Sequence, residues 1–410
     1  MNSSIAKDFE MNIQDIKPRL WTANYINTLV VSLIINIAGN ILITVLPLFT
    51  ISIGGNNFMA GTLTTLLTMS ALFCRPIFGK MLDNKGRKIV LILGLCLFAT
   101  STIVLIAATN VPLLLTLRFL QGIGLSAYST ALGTILSDVV PASRLSEGVG
   151  YFGIAGTIAM AVGPSLGLYL SKEFGYQSTY GIACGICVVS VFFASLINYE
   201  KKEKNIVSEV KDIQESKDKR GFIEKSSLRP CIVLIFTVLA ISSVFSFMPL
   251  FSQTRNIDNI GLFFTFYAIS MIFARLFTGK AADRFGYLKV FIPSIIITFM
   301  LFITLAFAYS LPPVLIAAVF YGVGFGTLQP LMNTIVIRLS PTERLGAANA
   351  TYYATLDIGF GMGSFMWGAV SQISGFTAVF ISCAVCVILS GIAYYFLLHK
   401  FLRENLSQSH

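Results

Sequence analysis

One acidic residue of this 410-residue chain, Asp357, lies deep within an apolar run, where a carboxyl group could take up and release a proton. It follows Ala347 by ten residues, which at ~1.5 Å per helical residue places it about 15 Å into a bilayer. Tyr353 precedes it by one helical turn and could donate a hydrogen bond to it. The alternative is a permanently paired acid that stabilises a glycine-rich helix.

A basic residue, Arg118, also lies within an apolar run, about two turns inside the predicted bilayer. Its insertion costs at least ~2.5 kcal/mol, so it should face a partner or a wet cavity. Arginine is effectively never deprotonated, so Arg118 cannot carry the proton itself. It could favour the ionised form of a nearby carboxyl group or bind an anionic group. The alternative is a structural arginine bonded to backbone carbonyls of the first span. We predict that Asp357 and Arg118 together couple proton movement.

Further polar and aromatic residues within apolar runs could line a substrate cavity. These candidates are Asn36, Asn40, Gln121, Phe245, Tyr321, Gln329, Asn333 and Tyr353. Two more arginines, Arg75 and Arg275, lie about one turn inside the boundary of their runs. For these two, snorkelling or contacts in a cytoplasmic latch are expected rather than substrate binding.

The composition identifies the class of protein that holds these residues. Hydrophobic residues make up 55% of the chain, charged residues only 12%, and the mean hydropathy is +0.78. A soluble domain carries about 25% charged residues, so an ordinary water-soluble enzyme is excluded. The sequence offers no catalytic constellation, and we expect no enzymatic activity, cofactor or metal site. We predict an all-α polytopic membrane protein, a monomer, with small molecules, protons and the lipid bilayer as its partners.

Twelve apolar runs are long enough to form membrane-spanning helices. They cover about 25–50, 61–78, 89–108, 112–136, 149–170, 179–197, 231–251, 261–277, 288–308, 312–337, 347–371 and 377–399. The net charge of +10 does not indicate a nucleic-acid partner, because the basic residues flank these runs. Nearly all of them lie in loops on the same side of the membrane as the N-terminus. This bias predicts cytoplasmic N- and C-termini in a cell membrane.

An internal repeat divides the chain into two halves. After a shift of about 200 residues, arginines, glycines and prolines coincide, as in the pairs Arg75 and Arg275 or Gly86 and Gly286. The sequence therefore predicts two pseudo-symmetric six-helix bundles, 1–197 and 231–410, joined by a solvated cytoplasmic linker, 198–230. Parallel repeats of this kind are typical of secondary transporters.

The loop after the second span resembles the signature motif of the major facilitator superfamily. The resemblance covers essentially the whole chain and implies a twelve-helix transporter without a cofactor, driven by a proton gradient. It also implies a cytoplasmic latch between the halves, in which Asp83 should have a compensating partner and Gly79 should permit close backbone approach. The residues assigned to the latch are Gly79, Asp83, Gly86, Arg87, Asp138, Arg144 and Asp283.

Two further stretches resemble motifs of proton-coupled exporters in this family. One contains Arg118 and Gln121 in the fourth span. The other is the antiporter motif of the fifth span, which is formed by Gly150, Gly163, Pro164 and Gly167. Two glycines of this motif are replaced, by Ala159 and Leu168.

The resemblance implies export of a small amphipathic compound, a drug, toxin or metabolite, in exchange for protons. The alternatives are a lipid, glycolipid, sugar or metallophore as cargo, or a membrane sensor that transports nothing.

Overall fold

The structure is a computed structural model that describes residues 19–141, 144–198, 224–341 and 344–399. Within these ranges ten continuous helices are long and apolar enough to cross a bilayer. Two of them, Leu145–Ser195 and Leu345–Ala393, have 51 and 49 residues. A straight helix of that length would extend about 75 Å, more than twice the hydrocarbon core.

Glycine divides each of these two long helices into two segments. Gly175 has a φ of 80° and Gly375 a φ of 74°, a conformation that only glycine adopts without strain. The chain therefore has the twelve predicted membrane-crossing segments. They are α1 (Ala23–Ser52), α2 (Asn57–Lys85), α3 (Arg87–Val104), α4 (Val111–Val139), α5 (145–174), α6 (176–195), α7 (Leu228–Thr254), α8 (Gly261–Phe285), α9 (Tyr287–Ala306), α10 (Leu311–Leu339), α11 (345–374) and α12 (376–393).

The helices form two six-helix halves, each with its own apolar core. We call the end of the molecule where α2 joins α3 and where α6 precedes α7 the linker side, and the opposite end the far side. On the far side, side chains of Asn56 and Asn110 accept hydrogen bonds from the first turns of α2 and α4. On the linker side, Gly86 and Gly286 have φ values of 93° and 85° and form the tight turns after α2 and α8.

Two seams of antiparallel helices hold the halves together. In the first seam, α2 packs against α11, and Gly61 and Gly368 let the two backbones approach closely. In the second seam, α5 packs against α8, and the Ser165 hydroxyl donates to the Gly261 carbonyl over 2.8 Å. The 200-residue repeat relates the two seams, so each places equivalent residues at equivalent depths.

The C-terminal half begins earlier than the sequence predicts. Helix α7 starts at Leu228, and Glu224 just before it is buried against Arg344, with Nε and Oε2 2.9 Å apart. This end of the predicted linker is therefore packed on the C-terminal half and not solvated. Residues 199–223 lie outside the described residues.

Candidate functional site

The buried acid of α11 forms an ion pair across the first seam. Asp357 Oδ2 accepts a hydrogen bond from Arg75 Nε of α2 over 2.8 Å. Arg75 lies ten residues before the end of α2 and Asp357 twelve after the start of α11, so both are about 15–18 Å from the linker-side ends of their helices. The side chains are 29% and 15% exposed, so the pair is only partly shielded.

The second seam holds the equivalent arginine, and its hydrogen-bond partners among the described residues are neutral. Arg275 of α8 donates through Nη1 to Thr157 Oγ1 of α5, 3.0 Å away, and through Nη2 to Gln329 Oε1 of α10, 2.8 Å away. Thr157 occupies the position 200 residues before Asp357. One seam thus joins the halves by opposite charges, and the other by an arginine and neutral oxygens.

These two contacts lie nearest the linker side among the hydrogen bonds identified between described residues of opposite halves. The others lie farther toward the far side. Tyr353, one turn nearer the linker side than Asp357, is 49% exposed. The described residues therefore form a conformation in which the halves are joined on the far side.

The expected partners of Asp357 are not the observed ones. Tyr353 packs edge-on against Tyr352 and makes no hydrogen bond to Asp357. Its hydroxyl belongs to an exposed side chain, whereas Arg75 reaches the carboxylate from the other half. The sequence predicts snorkelling or a latch contact for Arg75. The 200-residue offset relates Arg75 to Arg275 but does not predict the pairing with Asp357.

Arg118 is enclosed within the N-terminal half and is only 1% exposed. Its Nη1 donates to Gln121 Oε1 over 3.0 Å, and Gln121 donates in turn to the Thr102 hydroxyl. Among the described residues, Nε and Nη2 of Arg118 have no hydrogen-bond partner. The structure does not bring Arg118 into contact with Asp357. Gln121 is fully buried beside Arg118 and, in this conformation, does not line the crevice between the halves described below.

Several cavity candidates do meet in a crevice between the halves, which we call the aromatic crevice. Its lining residues are Asn40, Ile43, Thr44, Pro164, Val244, Phe245, Phe263, Phe264, Tyr267 and Tyr321. Its volume is about 10 Å³, so in this conformation it has room for about one water molecule.

Two candidates outside the crevice, Gln329 and Asn36, are held by hydrogen bonds, as is Asn40 within it. Gln329 is held by Arg275. Asn36 donates to the Ser32 carbonyl and Asn40 to the Asn36 carbonyl, so both amides stabilise the backbone of α1. Asn333 is partly buried on α10, one turn nearer the linker side than Gln329.

The antiporter-motif residues pack α5 against α1. A Cβ at Gly163 would lie 2.6 Å from the Asn40 Cβ, and one at Gly167 would lie 3.2 Å from the Ile41 Cα. The contact at Gly163 is too close for a side chain, and the one at Gly167 is tighter than most side-chain contacts, so small residues favour this approach of the backbones. Gly150 does not share this role, since nothing lies within 4 Å of a Cβ placed there.

The described latch residues make ion pairs within the N-terminal half. Arg87 Nε lies 3.2 Å from Asp138 Oδ2 and joins α3 to α4, and Arg144 pairs with Glu147 at 2.9 Å. Gly79 has open space where a Cβ would lie, so the close approach expected there is absent from this conformation. The side chains of Asp83 and Asp283 lie outside the described residues.

The C-terminal half has a corresponding ion pair that sequence reasoning missed. Arg344, which is equivalent to Arg144, binds Glu224. Hydrogen bonds from the backbone N–H and the hydroxyl of Ser226, together with the charge of Arg344, lower the pKa of Glu224. The repeat predicts the arginine, but the position of its acid at the start of α7 has no counterpart in the N-terminal half.

Comparison with known proteins agrees with the geometry of two related halves. The sequence profile of the Major Facilitator Superfamily matches residues 28–259 and 256–409. The chain is 23% identical to the multi-drug resistance efflux pump PmrA homolog of Lactococcus lactis, over 94% of this chain and 97% of that protein. It is 23% identical to multidrug resistance protein MdtG of Salmonella arizonae, over 92% and 95% of the two chains.

A solved structure has the same fold. The crystal structure of the nucleoside transporter NupG superposes with a TM-score of 0.72 at 14% identity. The match covers 92% of this chain and 100% of that one.

Proposed function

Because this chain belongs to the Major Facilitator Superfamily, we propose that it is a secondary transporter that exports a small amphipathic compound in exchange for protons. The efflux pumps among its relatives support the direction of transport. The basic loops of the linker side support a cytoplasmic location for that side and for both termini, in a cell membrane.

The contact between Asp357 and Arg75 is the observation that carries the proposal. It joins a titratable group in one half to a fixed positive charge in the other, 2.8 Å away. When Asp357 is ionised, the attraction favours the conformation that is joined on the far side. When Asp357 is protonated, the attraction is lost and the halves separate there more readily. Protonation of Asp357 would therefore shift the equilibrium between the two conformations, which is one of the steps that proton coupling needs.

The driving force is sufficient for export. One proton that moves inward gains about 2.3 kcal/mol per 100 mV, and each pH unit adds about 1.36 kcal/mol. Together these terms sustain a substrate gradient of about 500-fold for one-to-one exchange of an uncharged compound across 100 mV and one pH unit. Arg118 stays positively charged throughout the cycle. Its charge inside the N-terminal half would favour the ionised form of an acidic group that came close to it.

The test uses purified protein in liposomes that contain a pH-sensitive dye. A panel of amphipathic compounds is added under an imposed pH gradient, and proton movement is recorded. Wild-type protein is expected to move protons when its substrate is added, and Asp357→Asn is expected to abolish this exchange. Glu173→Gln is the matched control, since it removes an exposed carboxylate on the far side. Wild-type-like proton movement by the Asp357→Asn protein would refute the assignment.

A further inference from the structure

The charges within the described membrane segments do not balance. Three arginines, Arg75, Arg118 and Arg275, lie well inside the helices, whereas Asp357 is the one carboxylate at comparable depth among the described residues. Asp357 is bound to Arg75. Charged groups at this depth are costly unless they are paired or face water, and their presence indicates a functional site.

Of the two arginines without an acid, only Arg275 lies between the halves. Arg118 is enclosed in the N-terminal half, 1% exposed, and no substrate could reach it without opening that bundle. Arg275 is partly exposed and contacts Thr157 of the opposite half and Gln329 of its own. Both partners are neutral, and Nε of Arg275 has no hydrogen-bond partner among the described residues.

The two seams differ in the residue that faces the arginine from the opposite half. Where α11 supplies Asp357 to Arg75, α5 supplies Thr157 to Arg275. A hydroxyl satisfies one N–H group of the guanidinium but does not compensate its charge. A guanidinium forms its strongest hydrogen bonds with carboxylates and phosphates, often through two N–H groups at once. The second seam therefore keeps a cation that an external anion can bind.

The surroundings of Arg275 suit an anion with an apolar body. Tyr267, about two turns from Arg275 on α8, lines the aromatic crevice together with Tyr321, and the centroids of the two rings lie 4.8 Å apart. Phe245, Phe263 and other apolar side chains form the rest of that crevice. Arg275 lies eight residues nearer the linker side than Tyr267. A compound whose charged group binds Arg275 could therefore extend its apolar part along α8 toward the crevice.

We propose that the transported compound is an organic anion whose carboxylate or similar oxyanion binds Arg275, with its apolar part directed into the aromatic crevice. This inference rests on the proposed function of the chain as a transporter. It narrows the cargo from amphipathic compounds in general to those that carry a negative charge.

The most informative variant introduces into the second seam an acid equivalent to Asp357 of the first seam. Thr157→Asp places a carboxylate beside Arg275, as Asp357 stands beside Arg75, and should compete with an external anion. Thr157→Asn has the same size and shape without the charge and is the matched control. Thr157→Asp is expected to weaken anion binding at least about tenfold more than Thr157→Asn does, as expected when hydrogen bonds to a charged group are lost.

The probes are matched aromatic pairs that differ in one group, such as naphthalene carboxylate against naphthalene carboxamide and biphenyl carboxylate against biphenyl carboxamide, with ethidium as a cation. Binding is measured by thermal stabilisation of the full-length protein in detergent, and transport by proton movement in liposomes. We expect carboxylates, but not carboxamides, to stabilise the wild-type protein and to drive proton movement.

The outcomes separate this inference from the proposed function. Carboxylate binding that is sensitive to Thr157→Asp, without proton movement, would retain the anion site and refute proton-coupled export. Proton-coupled transport of ethidium that is unaffected by Thr157→Asp would retain export and overturn the anion site. Absence of stabilisation by every carboxylate, or equal stabilisation by carboxamides, would also overturn the anion site.

Discussion

Breaking the ion pair between Arg75 and Asp357 should shift the protein toward a conformation open on the far side. Two unit charges about 4 Å apart attract each other by about 4 kcal/mol at an effective dielectric constant of about 20. The side chains are 29% and 15% exposed, so water screens part of this attraction. We therefore expect a coupling of about 2 kcal/mol, which corresponds to a change of about 30-fold in the conformational equilibrium.

The assay measures the distance between the halves on the far side. Spin labels at Glu173 and Asp258, both exposed and in opposite halves, report this distance in a background without the seven native cysteines. Asp357→Asn and Arg75→Gln are compared singly and together in a double-mutant cycle. Each single change should increase the far-side-open population, and the double change should add little to either.

Two results would refute this reasoning. If the effects of Asp357→Asn and Arg75→Gln simply added, the two groups would not act through each other. If neither change altered the distance distribution at neutral pH, the contact would contribute nothing to closure of the far side. Thr157→Val in the second seam is the matched control, because it removes a hydrogen bond between the halves without removing a charge. We expect it to shift the population less than either charge-removing variant.

Two predictions concern stability. Gly163→Ala should lower the free energy of unfolding by about 1–3 kcal/mol, because its Cβ would meet that of Asn40 at 2.6 Å. Gly150→Ala, in open space, should not be destabilising, and equal losses in thermal unfolding would contradict the packing argument. Since the pKa of Glu224 is lowered in the folded state, its ionised form stabilises the protein above the ordinary glutamate pKa, and this contribution is lost as pH falls through the lowered pKa. Glu224→Gln should therefore lower the melting temperature at pH 7 more than at acidic pH, and a pH-independent effect would exclude the ion pair with Arg344 as the cause.

Much of the fold is predictable from the sequence because a bilayer permits few solutions. Backbone groups in lipid must be satisfied within each segment, so every long apolar run becomes a helix. The offset of 200 residues predicts the two halves, and the structure repeats it in the kinks at Gly175 and Gly375. The role of Asp357 in proton exchange stays a prediction, although its depth follows directly from the helical rise.

What the sequence by itself determined is the set of segments, their number and repeat, and the depth of Asp357 and Arg118 in those segments. These properties depend on local composition and on the rise per residue of one helix. Arg275, predicted about one turn inside its run, lies ten residues before the end of α8. The partners of these residues were decided by the tertiary structure alone. Arg75 and Asp357 are 282 residues apart in the chain. Their contact depends on the axial register in which α2 packs against α11, with Gly61 facing Gly368. That register is set by packing between two helices from different halves, which the pattern of neither helix encodes.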